Sequence, residues 1–150
     1  MKIAIGSDHA GFKAKEEIKE YLKSKGYDVQ DKGCFSEESV HYPEFGAAVA
    51  KDVVSGEAER GVLICGTGIG MSITANKFPG IRATLCHNEF TASASREHNN
   101  ANILVMGARV LEMDMMKKII DIWFSTDFGG DRHQIRLDMI SDIEKELGTK

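Results

Sequence analysis

Short apolar runs alternating with amphipathic helical stretches constrain this chain more than any other feature. Lys2-Ile-Ala-Ile5, Asp28-Val-Gln-Asp31, Val62-Leu-Ile64, Ile81-Arg-Ala-Thr-Leu-Cys86 and Ile103-Leu-Val-Met106 each read as a strand, closed off within a few residues by glycine or asparagine. The stretches between them have helical spacing. Ile18, Tyr21 and Leu22 recur ahead of Gly26, and Phe45, Ala48, Val49 and Val53 follow Pro43 and stop near Gly56. A third helix starts at about Gly70, a fourth covers Glu89 to Glu97, and a fifth from Asp114 to Phe124 places Met116, Ile119, Ile120 and Trp123 on one face. Strands joined through helices pair in parallel and are covered on both faces. The expectation is therefore an α/β protein, a three-layer α/β/α, Rossmann-like fold with a five-stranded parallel sheet. The pattern leaves the strand order open.

One helix is extra. After Gly129-Gly130, Asp131 with Gln134 resembles a capping box, and Ile135, Met139, Ile143 and Leu147 form an apolar stripe. Because the five-unit sheet is already complete, this stripe is expected to dock on a second subunit. That makes a homodimer the expectation and leaves open whether dimers pair into tetramers.

The chain of 150 residues is the size of one domain, 1–150, with a single core. A net charge of -4 gives no reason to expect a non-specific grip on nucleic acid. Cys34, Cys65 and Cys86 are an odd number without C-x-x-C or zinc spacing, which favours reduced thiols and a cytoplasmic location. The start does not read as a signal peptide, no apolar run is long enough to span a membrane, and no residue grouping has metal-ligand spacing.

Sheets of this type bind ligands beyond the carboxyl ends of their strands. That rule gathers Gly6–His9, Cys65–Gly70, Cys86–Asn88 and Gly107–Arg109 along one rim. In Gly61-Val-Leu-Ile-Cys-Gly-Thr-Gly-Ile-Gly70, a strand ends on a thiol and runs into glycines at alternate positions. Such a turn exposes backbone N–H groups at a helix start, where an anion is held. Cys65 has two readings. Free cysteine is often a small buried hydrophobe, but dipoles facing this one would favour the thiolate as a base or nucleophile. Cys34 and Cys86 lack that context and read as structural. His9 and His98, beside Asp8 and Asn99, are expected on the same rim, and Arg109 adds a cation there. Arg132 and Arg136, one turn apart at the start of the last helix, suit either a phosphate or a solvated face. The glycine spacing is not G-x-G-x-x-G, and no G-K-[ST] follows, so dinucleotide and ATP readings are weak.

These residues together resemble the ribose-5-phosphate isomerase B family, which also includes allose- and galactose-6-phosphate isomerases. The likeness runs through nearly the whole chain. It rests on Gly6-Ser-Asp-His-Ala-Gly11, Cys65-Gly-Thr-Gly-Ile-Gly-Met-Ser72 with Ala75-Asn-Lys77, Arg96-Glu-His-Asn-Asn-Ala-Asn102, Gly107-Ala-Arg109, and the Arg132/Arg136 pair. The resemblance implies interconversion of D-ribose 5-phosphate and D-ribulose 5-phosphate through an enediolate, as in the pentose phosphate pathway, without metal or cofactor. It also implies roles. Cys65 would be the base, the amides of Gly66, Thr67, Gly68, Ile69 and Gly70 would hold the enediolate charge, and Thr67 would relay a proton. His98 would open the furanose ring, with Asp8 and Asn99 placing hydroxyls. His9, Arg109, Arg132 and Arg136 would bind phosphate, some of them from the partner subunit. The base position in this family is cysteine or glutamate, so Cys65 marks the cysteine branch. The alternatives are a hexose-phosphate isomerase of the same family and a non-catalytic phosphosugar-binding module.

Overall fold

The computed structural model describes residues 1–148. Its elements run β1 (Lys2–Ser7), α1 (Phe12–Ser24), β2 (Asp28–Asp31), α2 (Tyr42–Ser55), β3 (Arg60–Cys65), α3 (Ile69–Ala75), β4 (Ala83–Leu85), α4 (Glu89–Glu97), β5 (Ile103–Gly107), α5 (Met113–Ser125) and α6 (Arg132–Gly148). The five strands form one parallel sheet in the order β2-β1-β3-β5-β4. Strand alternation sorts the core onto two faces. Ile3, Ile5, Val62, Ile64, Leu104 and Met106 face α1, α4 and α5, whose Ile18, Leu22, Ala92, Met116, Ile119, Ile120 and Trp123 cover them. Ala4, Leu63, Cys65, Ile103 and Val105 face α2 and α3 through Val49, Ala50, Met71 and Ala75. The three expected layers are present.

Strand order decides where the site lies. From β1 the chain steps outward to β2, then returns across β1 to place β3 on its other side. The crevice where the order reverses lies at the carboxyl ends of β1 and β3, and ligands of open α/β sheets bind at such crevices. The register sets Ser7 opposite Ile64 and Cys65 opposite Gly107, so the segments after β1, β3 and β5 meet there.

Two local expectations fail. Only Ala83–Leu85 of the expected Ile81–Cys86 strand joins the sheet. This edge strand has one neighbour. The Ile81 N–H turns back to the Phe78 carbonyl (3.1 Å), and the Arg82 N–H goes to Asn102 Oδ1 (2.8 Å). The Asp131/Gln134 capping box does not form. The Gly129-Gly130 turn delivers Asp131 at φ 49, in the left-handed region, whereas an N-cap residue has extended backbone. The Gln134 amide donates to Asp138 Oδ1 instead (2.7 Å).

Helix α6 lies on the surface of the fold, touching it through the His133 stack on His98 and through Glu144, which accepts the Gly80 N–H at 3.1 Å. Of its residues only His133 and Leu137 are buried, while Ile135, Met139, Ile143 and Leu147 are 64%, 62%, 56% and 57% exposed. Among the described residues, no helix is long and apolar enough to cross a membrane.

Candidate active site

The rim at the switch point is built mainly of backbone. Past β1, Asp8 is 8% exposed, and its Oδ1 accepts the Gly11 N–H at 3.0 Å. Residue 11 has to be glycine, because a Cβ there would lie 2.5 Å from the Ile64 carbonyl oxygen. His9 Nδ1 accepts the Val40 N–H at 3.2 Å. The loop before α2 is thereby tied across the end of β1, and the ring proton is left on Nε2.

Cys65 ends β3 with 5% of its surface exposed, and the Gly68 N–H points at its sulfur from 3.1 Å. A donor so placed strengthens when the sulfur carries charge. Gly68 reaches this position at φ 81, and a Cβ there would come within 2.4 Å of Leu85 Cδ1. The exposed Thr67 hydroxyl accepts the Ile69 N–H at 3.2 Å. The Thr67 and Gly70 amides have no protein partner among the described residues. Arg109 lies alongside. Its N–H donates to the Gly66 carbonyl (2.9 Å), and a Cβ on Gly66 would be 3.3 Å from Arg109 Nη1. The Tyr42 ring covers Gly70, closer than any added Cβ would allow. Asp8, His9, Cys65, Gly66, Thr67, Gly68, Ile69, Gly70 and Arg109 thus gather as expected.

His98 and Asn99 do not join them, which corrects the expectation that one rim holds both histidines. Helix α4 starts from the carboxyl end of β4 and runs back, so His98 at its C-cap lies at the other end of the sheet. Arg82, just ahead of β4, donates from Nε to the carbonyls of Asn99 (3.1 Å) and Asn100 (3.0 Å), and the Gly61 N–H at the start of β3 reaches the Asn102 carbonyl (2.9 Å). From Gly61 to Cys65 the strand rises about 13 Å.

At that far end His98 and Asn99 meet Arg132 and Arg136, and with His133, Leu137 and Ile140 they line a cleft of about 330 Å³. The rings of His98 and His133 stack, 4.5 Å between centroids and 13° from parallel. Burial, followed by His98, Arg132 and Arg136, lowers the His133 pKa from its ordinary value, and Glu97 opposes them. The sequence places His133, like His41 and His87, within possible reach but below His9 and His98, and gives Tyr42 and Val40 no role. His133 lies between the two arginines, but nothing local indicates that its ring meets one from another helix. Among the described residues, no group of three or more His, Cys, Asp or Glu side chains is arranged to hold a metal ion.

A thiol under a backbone donor at the switch point, with free amides and an arginine around it, defines an α/β enzyme suited to proton transfer beside a developing negative charge. The chain belongs to the ribose/galactose isomerase family, whose model matches residues 3–140. It is 46% identical to the ribose-5-phosphate isomerase B of Escherichia coli, over 96% of this chain and 97% of that one. The fold matches the ribose-5-phosphate isomerase B of Clostridium thermocellum with a TM-score of 0.97 at 53% identity, covering 98% and 99% of the two chains. It also matches that of Mycoplasma genitalium, solved with bound ribulose-5-phosphate, with a TM-score of 0.92 at 40% identity over 97% of each chain.

Proposed function

We propose that this protein interconverts D-ribose 5-phosphate and D-ribulose 5-phosphate, and that it does so as a cytoplasmic homodimer with no metal. The observation that carries the reading is the Gly68 N–H on the Cys65 sulfur, within a turn whose Thr67 and Gly70 amides are free. The names of the relatives support the same substrate class.

The chemistry has two parts. Ring opening breaks the C1–O4 bond, with one proton leaving the O1 hydroxyl and one arriving at O4, and His98 handles this exchange. In the open aldose the Cys65 thiolate takes the proton from C2, and charge moves onto O1 as the C1–C2 double bond of the enediolate forms. The amides of Gly66, Thr67, Gly68, Ile69 and Gly70 stabilise that oxyanion, since preorganised donors act where charge develops. Cys65 returns the proton to C1, and Thr67 carries the hydroxyl proton from O2 to O1. Asp8 and Asn99 place the sugar hydroxyls. His9, Arg109, Arg132 and Arg136 hold the phosphate.

One protomer holds these residues at opposite ends of its sheet, so the site is completed when the far end of a second copy covers the rim of the first. The exposed stripe of α6 is the surface available for that contact. The deciding assay follows the interconversion with and without EDTA. Turnover insensitive to EDTA is expected. Absence of turnover would overturn the reading, and loss with EDTA its metal-free part. Running allose 6-phosphate and galactose 6-phosphate alongside tests the substrate, because a higher kcat/KM on either would replace ribose while keeping the chemistry.

A further inference from the structure

We propose that His133 is a positioning residue for His98, and that the face of its ring, in place of a hydrogen bond, orients the ring-opening imidazole. The proposal rests on the role given to His98 above.

A histidine that exchanges protons usually has one ring nitrogen held by a carboxylate or carbonyl, which sets the ring's orientation and occupies that nitrogen. His98 has no such partner. Among the described residues neither of its ring nitrogens makes a protein hydrogen bond, and the contact left to orient it is the stack on His133. His98 is exposed to the cleft on its other face, whereas His133 is only 9% exposed. Both nitrogens of His98 therefore stay open to substrate.

The platform is braced. The Gly129 N–H donates to the Glu97 carbonyl (2.9 Å), tying the residue before His98 to the turn before His133, and the His133 N–H closes that turn on the Gly130 carbonyl (3.0 Å). There is little room at position 129. A Cβ would stand 3.2 Å from the Glu97 carbonyl oxygen and 3.4 Å from His133 Cδ2. The charged groups facing the pair are Arg132 and Arg136 from α6 and Glu97 from α4. Burial, then His98 and the two guanidiniums disfavour charge on His133, and Glu97 opposes them.

The test compares His133→Phe, which keeps a ring, with His133→Ala, which removes it. His133→Leu fills the space without a ring and stands in if the alanine variant does not fold. The first readout is the NMR resonance of the His98 ring protons, assigned by its loss in His98→Asn. Stacking shifts it upfield in the wild type. The shift is expected to vanish in His133→Ala and to persist in His133→Phe, independently of turnover. The second readout is kinetic. With ribose 5-phosphate, His133→Ala is expected to lose about ten- to a hundredfold in kcat with KM nearly unchanged, the usual penalty for a misplaced catalytic group, and His133→Phe to recover most of it. An unmoved His98 resonance in His133→Ala, or a folded His133→Phe as slow as His133→Ala, would overturn the proposal. Near-normal kcat in His98→Asn would instead remove the ring-opening role beneath it.

Discussion

The two ends of the sheet present their chemistry by different means. At the carboxyl end of β3 the groups around Cys65 are mostly backbone amides, placed by strand register and by glycines that admit no side chain. At the opposite end the groups are side chains on helix termini, two imidazoles and two guanidiniums around an open cleft. Fixed dipoles suit a charge that appears only during reaction, because they need not reorganise when it does. Long guanidiniums suit a phosphate that is charged from the start and must be gripped as it arrives. The comparison assigns stabilisation of the enediolate to one end, and to the other the ring-opening His98 with two arginines for the phosphate, and mutation can separate them.

Cys65→Ala carries the largest expected effect. Removing the base should lower kcat by about 10²–10⁴-fold while KM changes little, since every residue given to the phosphate is left in place. Steady-state kinetics with ribose 5-phosphate measures both, and a near-normal kcat would remove Cys65 from the role of base. The second experiment addresses the separation itself. Cys65→Ala and His98→Asn should each be inactive alone. If a site draws one end from each copy, refolding the two variants together restores one intact site in every mixed dimer. Random pairing makes half the dimers mixed, each with one good site of two, so about a quarter of wild-type activity should return. No recovery would mean that each copy holds a complete site.

How much of this was legible in the sequence follows the same division. Strands and helices could be read because the apolar spacing is local, and the rim formed by Asp8, His9, Cys65 to Gly70 and Arg109 followed from the rule about strand ends. The order β2-β1-β3-β5-β4 could not be read, since the strand beside which each crossover returns is set by long-range packing and not by local spacing. The placement of His98 was missed for a related reason. It precedes β5, and a residue before a parallel strand lies at the opposite end from residues after one. The stack on His133 depends on where α6 returns to α4, a long-range contact with no local signature. At Asp131 the capping pattern was present, but the preceding glycines chose another backbone conformation.

A smaller effect is expected from Arg132→Ala. Losing one charged hydrogen-bond donor to phosphate should raise KM about tenfold or somewhat more, with kcat nearly unchanged. Inhibition by inorganic phosphate should weaken in parallel. An unchanged KM would return Arg132 to a solvated face and leave Arg136 to hold that end. A fall in kcat with KM unchanged would instead move Arg132 from gripping the phosphate to stabilising a transition state.

The smallest expected effect concerns stability, and it isolates the far end without any substrate. Burial and the neighbouring His98, Arg132 and Arg136 hold the His133 pKa below its ordinary value in the folded chain. The unfolded chain therefore binds a proton at this position at a pH where the folded chain does not. Stability from this group is fully present above the ordinary histidine value and declines as pH falls through it towards the lower folded value. His133→Phe cannot titrate and lacks this part of the pH dependence. Denaturant midpoints from about pH 8 to about pH 5 should fall more steeply for the wild type than for His133→Phe. Equal slopes would mean that the cleft leaves His133 as free to take a proton as in the unfolded chain. Neither burial nor the cations at this end would then disfavour charge on the ring beneath His98.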